Sequence, residues 1–150
     1  MITKDLIDAF TSKKHIAIAG VSRSGKKFGN YVYRNLRDKS YSVYAINTNA
    51  DTIEGDKCYR SVDELPAEVQ AIVIITPPEQ TEQIIEHALR KGIKYIWLQQ
   101  GAESKKSIQK AEQGGAEVVF GKCIMMFAEP LGFMHRIHRG IDKLIGKYPK

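Results

Sequence analysis

The sequence predicts an α/β fold, a doubly wound five-stranded parallel sheet of the Rossmann-like type, with an added C-terminal amphipathic helix. Short apolar segments alternate with helical segments of about 10–15 residues, which is the spacing of βαβ crossovers. The segment AIVIIT at residues 71–76 is continuously apolar, as expected for a strand that is covered on both faces. The first apolar segment ends at Gly20, and a polar loop then leads into a helical pattern.

The predicted elements follow one another along the chain without a linker. A short amphipathic helix is predicted around residues 6–10, and the first strand runs from His15 to Gly20. Residues 49–55 are predicted as a loop and residues 61–65 as a short capped helix. The remaining predicted helices are 28–39, 81–91 and 103–113, and the remaining predicted strands are 41–47, 71–76, 95–98 and 117–120.

Composition indicates one domain over residues 1–150, with a core of about 1–124 and a helical appendage of about 125–150. With 43% hydrophobic and 27% charged residues, the chain has the composition of a globular domain. Two cysteines form neither a disulfide framework nor a zinc site. No apolar segment has the length of a membrane span, and the N-terminus lacks a signal-peptide pattern, so we expect a cytoplasmic protein. The net charge of +6 favours anionic partners.

The loop that follows the first strand is the strongest candidate for an anion site. Residues 20–26 match the spacing G-x-x-x-x-G-K of a nucleotide-binding loop. Lys27 stands where a magnesium-binding Ser or Thr belongs, and the third strand ends without a carboxylate. We therefore expect no ATP or GTP hydrolysis. Backbone N–H groups at a helix start, together with Arg23, Lys26 and Lys27, still favour a bound phosphate, although a tight turn with solvated lysines is the alternative.

The loops after the other strands bear on the kind of ligand. Enzymes that use NAD usually place a carboxylate near the end of the second strand, whereas this chain has Asn47 there and its first carboxylate only at Asp51. This pattern disfavours NAD but permits NADP or coenzyme A. Pro77 and Pro78 either form a rigid apolar surface for the ligand or simply initiate a helix.

Taken together, these loops resemble the coenzyme A-binding protein family, whose domain is similar to the N-terminal CoA-binding domain of the succinyl-CoA synthetase alpha subunit. The resemblance covers residues from about His15 to Cys123. The matching segments are IAGVS at 18–22, AIN at 45–47, IEG at 53–55, VIITPP at 73–78, IWLQQG at 96–101 and VVFGKC at 118–123. Thr48 replaces the proline that the family usually carries after Asn47.

The resemblance implies that coenzyme A lies across the carboxyl edge of the sheet. Gly20, Val21, Ser22 and the nearby cations would then hold the diphosphate, Asn47 the ribose end, Thr76 and Pro77 the adenine or pantetheine, and Gly101 and Cys123 the region toward the thiol. The complete set of implied cofactor-binding residues is Gly20, Val21, Ser22, Arg23, Ser24, Lys26, Lys27, Asn47, Thr76, Pro77, Gly101 and Cys123. The phosphohistidine segment of the synthetase belongs to a second domain, beyond the part that this chain resembles.

The C-terminal residues 125–150 depart from the family pattern. Leu131, Met134, Ile137, Ile141 and Leu144 recur at helical spacing, opposite a basic face. We expect this amphipathic helix to dock on its own domain or, as we favour, on a second copy in a homodimer. His135 and His138 lack the further ligands of a metal site, and no aromatic residues alternate with the basic ones, so nucleic acid is disfavoured.

The sequence thus predicts a protein that binds coenzyme A or an acyl-CoA. No catalytic constellation is visible, so a binding or regulatory role is favoured over catalysis, with no catalytic and no metal-ligating residue. Three alternatives stay open: an NADP-binding oxidoreductase, a subunit of an acyl-CoA ligase, and an interaction protein that uses its basic C-terminal helix.

Overall fold

The computed structural model describes residues 2–128, which form alternating strands and helices. Two short 3-10 turns, Val62–Glu64 and Ile124–Met126, complete the elements. The helices are α1 (Lys4–Thr11), α2 (Phe28–Asp38), α3 (Pro78–Lys91) and α4 (Lys105–Gln113). The strands are β1 (His15–Ala19), β2 (Ser42–Ile46), β3 (Thr52–Ile53), β4 (Asp56–Tyr59), β5 (Ala71–Ile74), β6 (Tyr95–Gln99) and β7 (Glu117–Lys122).

The sheet of the described residues has the strand order β3-β4-β2-β1-β5-β6-β7. Every neighbouring pair is parallel except β3 and β4, which are antiparallel. The Rossmann-like α/β class is confirmed, but the prediction of five strands is wrong because the sheet has seven. The two additional strands lie within and just after the predicted loop 49–55. They are two and four residues long, which is too short for a periodic pattern to reveal them.

The core consists of two apolar layers, one on each face of the sheet. One layer joins α1 and α2 to the sheet through residues such as Phe10, Leu36 and Trp97. The other joins α3 and α4 through residues such as Ile85 and Ala111. Covering both faces explains why the central strands are continuously apolar, since β5 is fully buried along its length.

Trp97 is a core residue, and its polar group is satisfied inside the protein. The side chain is fully buried, and the Phe10 ring meets it edge-on at a centroid distance of 5.3 Å. Its indole Nε1 donates a hydrogen bond to the carbonyl oxygen of Lys122 at 2.9 Å. The contact holds the end of β7 against β6, because the two residues lie on those neighbouring strands.

The ends of the helices carry the expected signals. Pro78 is the first residue of α3, where its missing N–H costs nothing. The same helix ends at Gly92, whose φ of +87° is the left-handed conformation of a C-cap. Helix α4 begins with a reciprocal capping box between Ser104 and Ser107.

The described chain continues past the predicted core boundary, and the next residues still pack inside. Ile124, Phe127 and Ala128 are buried. The remainder of the predicted C-terminal helix, from residue 129 to 150, lies outside the described residues. Within residues 2–128, no helix has the length and apolar character needed to cross a membrane.

Candidate functional site

Strand β1 marks the topological switch point of the sheet. It lies between β2 and β5, which are reached by connections that leave in opposite directions. In doubly wound sheets the crevice at this point, beyond the carboxyl ends of the strands, is where ligands bind. Residues 20–27, called here the β1–α2 loop, lie at this crevice.

Gly20 opens the β1–α2 loop in a conformation that favours glycine. Its φ is +111°, and a Cβ atom built there would lie 2.7 Å from the carbonyl oxygen of Ile75. A side chain would therefore push the loop away from the segment that follows β5. Glycine lets the backbones of two neighbouring loops approach each other at the switch point.

Gly29 is a site residue that the sequence analysis missed. A Cβ atom on Gly29 would lie 2.1 Å from the carbonyl oxygen of Gly20, so α2 can start directly above the end of β1 only if this residue is glycine. This is the close packing of helix on strand that the third glycine of a dinucleotide-binding fingerprint provides. A glycine in the first turn of a predicted helix was the available signal, because glycine is unfavourable in helices.

Asn30, which the sequence analysis also missed, holds the backbone of the β1–α2 loop in place. Its side chain is fully buried. Its Oδ1 accepts a hydrogen bond from the Ser22 N–H at 3.1 Å, and its Nδ2 donates to the Ser22 carbonyl at 2.8 Å. Both backbone polar groups of Ser22, which lie in two successive peptide units, are thus held by one amide side chain, and this orients the loop without the help of a ligand.

The serine hydroxyls of the loop bind its own backbone. Ser22 Oγ accepts from the Ser24 N–H at 3.1 Å, and Ser24 Oγ accepts from the Lys26 N–H at 3.2 Å. The two hydroxyls also hydrogen-bond each other at 3.0 Å. A phosphate oxygen could take the place of these neutral acceptors, because charged acceptors form stronger hydrogen bonds.

The charge around the β1–α2 loop is positive. Arg23, Lys26 and Lys27 are exposed there. Lys27 is also the N-cap of α2, its side chain makes no capping hydrogen bond, and the first turn of α2 contains no acidic residue. The positive end of the helix dipole therefore adds to three cationic side chains, which favours an anion.

Asn47 connects the loop after β2 with the β1–α2 loop. Its Nδ2 donates a hydrogen bond to the Val21 carbonyl at 2.9 Å. Its Oδ1 accepts from the Asn49 N–H at 2.8 Å, which closes an Asx turn. The structure therefore brings Asn47 and the β1–α2 loop together.

Thr76 and Pro77 lie on the other side of the switch point, after β5. Thr76 Oγ1 forms a hydrogen bond with Thr81 Oγ1 at 3.0 Å, so its hydroxyl faces the start of α3. Pro77 is exposed and is the N-cap residue of α3. The Ile75 N–H donates to the Ala19 carbonyl at 2.8 Å, which holds this segment beside Gly20.

Gly101 and Cys123 lie farther along the same edge. Gly101 has a φ of +96°, and its N–H donates to Glu103 Oε2 at 2.8 Å. Cys123 is half-buried and immediately precedes the last 3-10 turn. The strand order places Asn47, the β1–α2 loop, Thr76, Gly101 and Cys123 in one row. The row spans about 19 Å, four interstrand spacings.

The turn between β3 and β4 supplies a carboxylate that the sequence analysis did not assign. Glu54 Oε1 accepts hydrogen bonds from Arg34 Nη1 at 2.7 Å and from Asn30 Nδ2 at 2.9 Å. Burial raises the pKa of Glu54, but these hydrogen bonds and the charge of Arg34 outweigh it, so the net shift of the pKa is downward. Arg34 thus compensates the charge of a carboxylate whose side chain is largely buried close to the β1–α2 loop.

Among residues 2–128, His, Cys, Asp and Glu side chains do not come together in threes as a metal site would require. The arrangement is instead that of a doubly wound domain with a preformed, positively charged loop at its switch point. Proteins of this class bind nucleotide-type ligands along the carboxyl edge.

The model of the CoA-binding domain family matches residues 14–129, and the chain belongs to this family. The family resemblance and coenzyme A as cofactor, both predicted from the sequence, are confirmed by this match. The alpha subunit of ADP-forming acetate–CoA ligase II from Pyrococcus furiosus is 28% identical over 130 residues. The match covers 79% of this chain but only 28% of the ligase subunit.

Two solved structures share the fold. A conserved hypothetical protein from Pyrococcus furiosus is 42% identical with a TM-score of 0.71, and the match covers 74% of this chain and 96% of that one. The dinucleotide-forming acetyl-coenzyme A synthetase 1 of Ca. Korarchaeum cryptofilum, in complex with phosphate and ADP, is 27% identical with a TM-score of 0.66. That match covers 77% of this chain and 27% of the synthetase.

Proposed function

We propose that this protein binds coenzyme A or an acyl-CoA along the carboxyl edge of its sheet, with the diphosphate on the β1–α2 loop. The observation that carries the proposal is the preformed loop at the switch point. Its backbone is held by Asn30 and Asn47, and it carries three exposed cations at the start of α2.

The other parts of the ligand follow from the order of the strands. The ribose with its 3′-phosphate lies toward Asn47, and the pantetheine arm passes Thr76 and Pro77 toward Gly101 and Cys123. This direction places the diphosphate near the exposed cations of the β1–α2 loop and the neutral arm near a proline and a glycine turn. CoA is preferred over NAD because the carboxylate of Glu54, near the loop, already accepts hydrogen bonds from Arg34 and Asn30 and is not free for the hydroxyls of an NAD ribose.

The proposed role is binding or regulation without catalysis by this chain. In support, the polar side chains among the predicted cofactor-binding residues are an amide, hydroxyls, cations and one half-buried thiol. Such groups hold a phosphorylated ligand. We further propose a cytoplasmic location and a homodimer through the sequence-predicted helix of residues 125–150. Light scattering that gives a monomer mass at micromolar concentration contradicts the dimer.

A second candidate is that the chain is the CoA-binding component of an acyl-CoA ligase. The identity with the acetate–CoA ligase alpha subunit over 79% of the chain favours it. Incubation of the chain alone with acetate, ATP and CoA tests whether the chain is catalytic by itself. ADP formation above a no-enzyme control contradicts the non-catalytic role, whereas none is expected under our first proposal.

Calorimetry with CoA, dephospho-CoA, NAD and NADP tests the proposed ligand. CoA should bind more tightly than NAD. Dephospho-CoA should bind more weakly than CoA, since each lost charge-assisted hydrogen bond costs about 1.5–3 kcal/mol. Equal affinity for CoA and dephospho-CoA contradicts a bound 3′-phosphate, and tighter binding of NADP than of CoA favours the oxidoreductase alternative.

A further inference from the structure

The turn that joins β3 and β4 contains a residue type that its backbone does not favour. Ile53 and Asp56 pair across the turn. The two residues between them, Glu54 and Gly55, have φ of +54° and +79°. Positive φ at both central positions is the pattern of a type I′ turn, where Asn-Gly is strongly preferred. A glutamate at the first position therefore carries a backbone cost that asparagine would reduce.

The Glu54 side chain points inward and accepts hydrogen bonds from two side chains, each of which also contacts the β1–α2 loop. Only 11% of this side chain is exposed. One donor is Asn30, which holds both polar groups of Ser22. The other is Arg34, whose Nη1 also donates to the Gly25 carbonyl at 3.2 Å. One carboxylate thus supports both ends of the Ser22–Gly25 turn, in which the Gly25 N–H donates to the Ser22 carbonyl at 3.4 Å.

We infer that Glu54 is a positioning residue for CoA binding, which acts through Asn30 and Arg34 to hold the β1–α2 loop in its anion-binding conformation. This inference rests on the proposed function, because it assigns Glu54 a role in that same site. A residue whose backbone cost is compensated by contacts elsewhere is expected at functional positions rather than in purely structural turns.

The charge of Glu54 matters for Arg34 as well as for the turn. With the carboxylate present, Arg34 Nη1 is held at 2.7 Å from Oε1 while it also reaches the Gly25 carbonyl. Without it, the guanidinium loses its charged partner and Asn30 loses one acceptor. The lowered pKa of Glu54 keeps the carboxylate ionised at neutral pH, in agreement with this arrangement.

The decisive experiment compares Glu54→Asn, Glu54→Gln and the control Ser40→Asn in the full chain. Ser40 is exposed and also has a positive φ, +73°. It follows the C-terminal end of α2, about 16 Å of helix away from the β1–α2 loop. Asparagine relieves a backbone cost at both positions but removes the carboxylate at only one of them.

We expect Glu54→Asn to keep or raise Tm while it weakens CoA binding about tenfold, since interactions with a charged group are lost. Glu54→Gln keeps an oxygen that can accept from Asn30 but lacks the charge that faces Arg34, so it should recover part of the affinity. Ser40→Asn should keep or raise Tm with unchanged affinity. A role confined to folding would instead lower Tm and affinity together. If Glu54→Asn binds CoA like the parent, or if Glu54→Gln recovers nothing, the inference is overturned.

A measurement without ligand separates this inference from the proposed function. Backbone NMR order parameters of Ser22, Ser24 and Gly25 should fall in Glu54→Asn and stay unchanged in Ser40→Asn. If the parent protein fails to bind CoA, the proposed function is wrong, while the order parameters still decide whether Glu54 holds the loop. Unchanged order parameters in Glu54→Asn overturn the positioning role even if CoA binds.

Discussion

The two ends of the carboxyl edge are built in different ways. At the end formed by β4, β2 and β1, neighbouring loops hold one another through side-chain amides and guanidinium groups, as Asn47 does with Val21 and Arg34 with Gly25. At the end formed by β6 and β7, a buried side chain of β6 holds the segment that follows β7. There, Gln99 Oε1 accepts from the Ile124 N–H at 3.2 Å.

The two ends also differ in the groups that an incoming anion would meet. In the β1–α2 loop, the N–H groups of Ser24 and Lys26 donate to the neutral hydroxyls of Ser22 and Ser24. The turn after β6 instead satisfies the Gly101 N–H with the carboxylate of Glu103. An incoming phosphate can replace a hydroxyl, but at Gly101 it meets a negative charge that is already bound. The first end is therefore suited to phosphates and the second to the neutral arm of the ligand.

The largest effect on the end formed by β4, β2 and β1 should come from disturbing the packing of α2 on β1. In Gly29→Ala, the new Cβ meets the Gly20 carbonyl oxygen, and the backbone must shift. We expect a loss of about 3 kcal/mol in the free energy of unfolding, as for an overpacked core, together with loss of CoA binding. Urea denaturation and calorimetry measure the two effects.

Gly115→Ala is the matched control for Gly29→Ala. Gly115 has a φ of +84°, and an added Cβ meets no atom within 4 Å. Its cost is limited to the left-handed conformation, about 1–2 kcal/mol, and CoA affinity should be unchanged. Equal losses of affinity in the two variants would show that the close approach at the switch point has no special role.

Neutralising the cations of the β1–α2 loop should weaken binding while the fold stays intact. For the double variant Lys26→Ala with Lys27→Ala, we expect about a tenfold loss of CoA affinity and a shallower dependence of affinity on salt, because exposed charges are screened. Lys94→Ala is the control, since Lys94 is exposed next to the amino end of β6. A parallel loss in the control would assign the effect to net charge alone.

Acid should destabilise the β3–β4 hairpin, which supports the end of the carboxyl edge formed by β4, β2 and β1. Hydrogen bonds from Tyr33 and then Arg37 lower the pKa of Asp56. Because the folded-state pKa is depressed, the stability that Asp56 contributes is fully present above the unfolded value of about 3.9. It is lost as the pH falls through the folded-state value.

The contribution of Asp56 should be under about 1 kcal/mol, since nearly half of its side chain is exposed and solvent screens the pair. Chemical denaturation between neutral pH and pH 3 measures it, with Asp56→Asn as the comparison. The variant should be less stable at neutral pH, and its deficit should shrink on acidification. A deficit that does not depend on pH contradicts the assignment.

The smallest change in CoA affinity is expected at the end of the carboxyl edge formed by β6 and β7. Glu103→Gln keeps an oxygen that can accept from the Gly101 N–H but removes the negative charge. Because the neutral arm of the ligand is proposed to lie there, we expect CoA affinity to change less than about twofold, within the range of a surface substitution. A large gain in affinity in calorimetry would mean that a phosphate lies at Gly101 and that the proposed direction of the ligand is reversed.

The sequence predicted the parts of the fold that repeat or that end in strong signals. The apolar strands, the C-cap at Gly92 and the α/β class follow from hydrophobic burial and backbone conformation, which are local properties. The hairpin of β3 and β4 was missed, because its Glu54-Gly55 turn lacks the usual asparagine.

Only those residues of the candidate site that follow strands along the chain were predicted from the sequence. The loop cations and Asn47 could be read from the sequence because they follow strands. Asn30 and Glu54 could not, since they are 24 positions apart and act on the loop through contacts made only in the folded chain. The need for glycine at position 29 likewise depends on a carbonyl oxygen nine residues earlier, which no local pattern reveals.

The hairpin also has a consequence for association between chains. A sheet edge offers unpaired N–H and C=O groups that can template another strand. Here the outermost strand on one side, β3, has only two residues, so it offers little length for such pairing. Ion pairs from Arg34 and Arg37 hold the hairpin to α2. Because β4 pairs with β2, the hairpin also covers this longer strand, and a variant that lost the hairpin would expose β2 as an edge and should aggregate more readily.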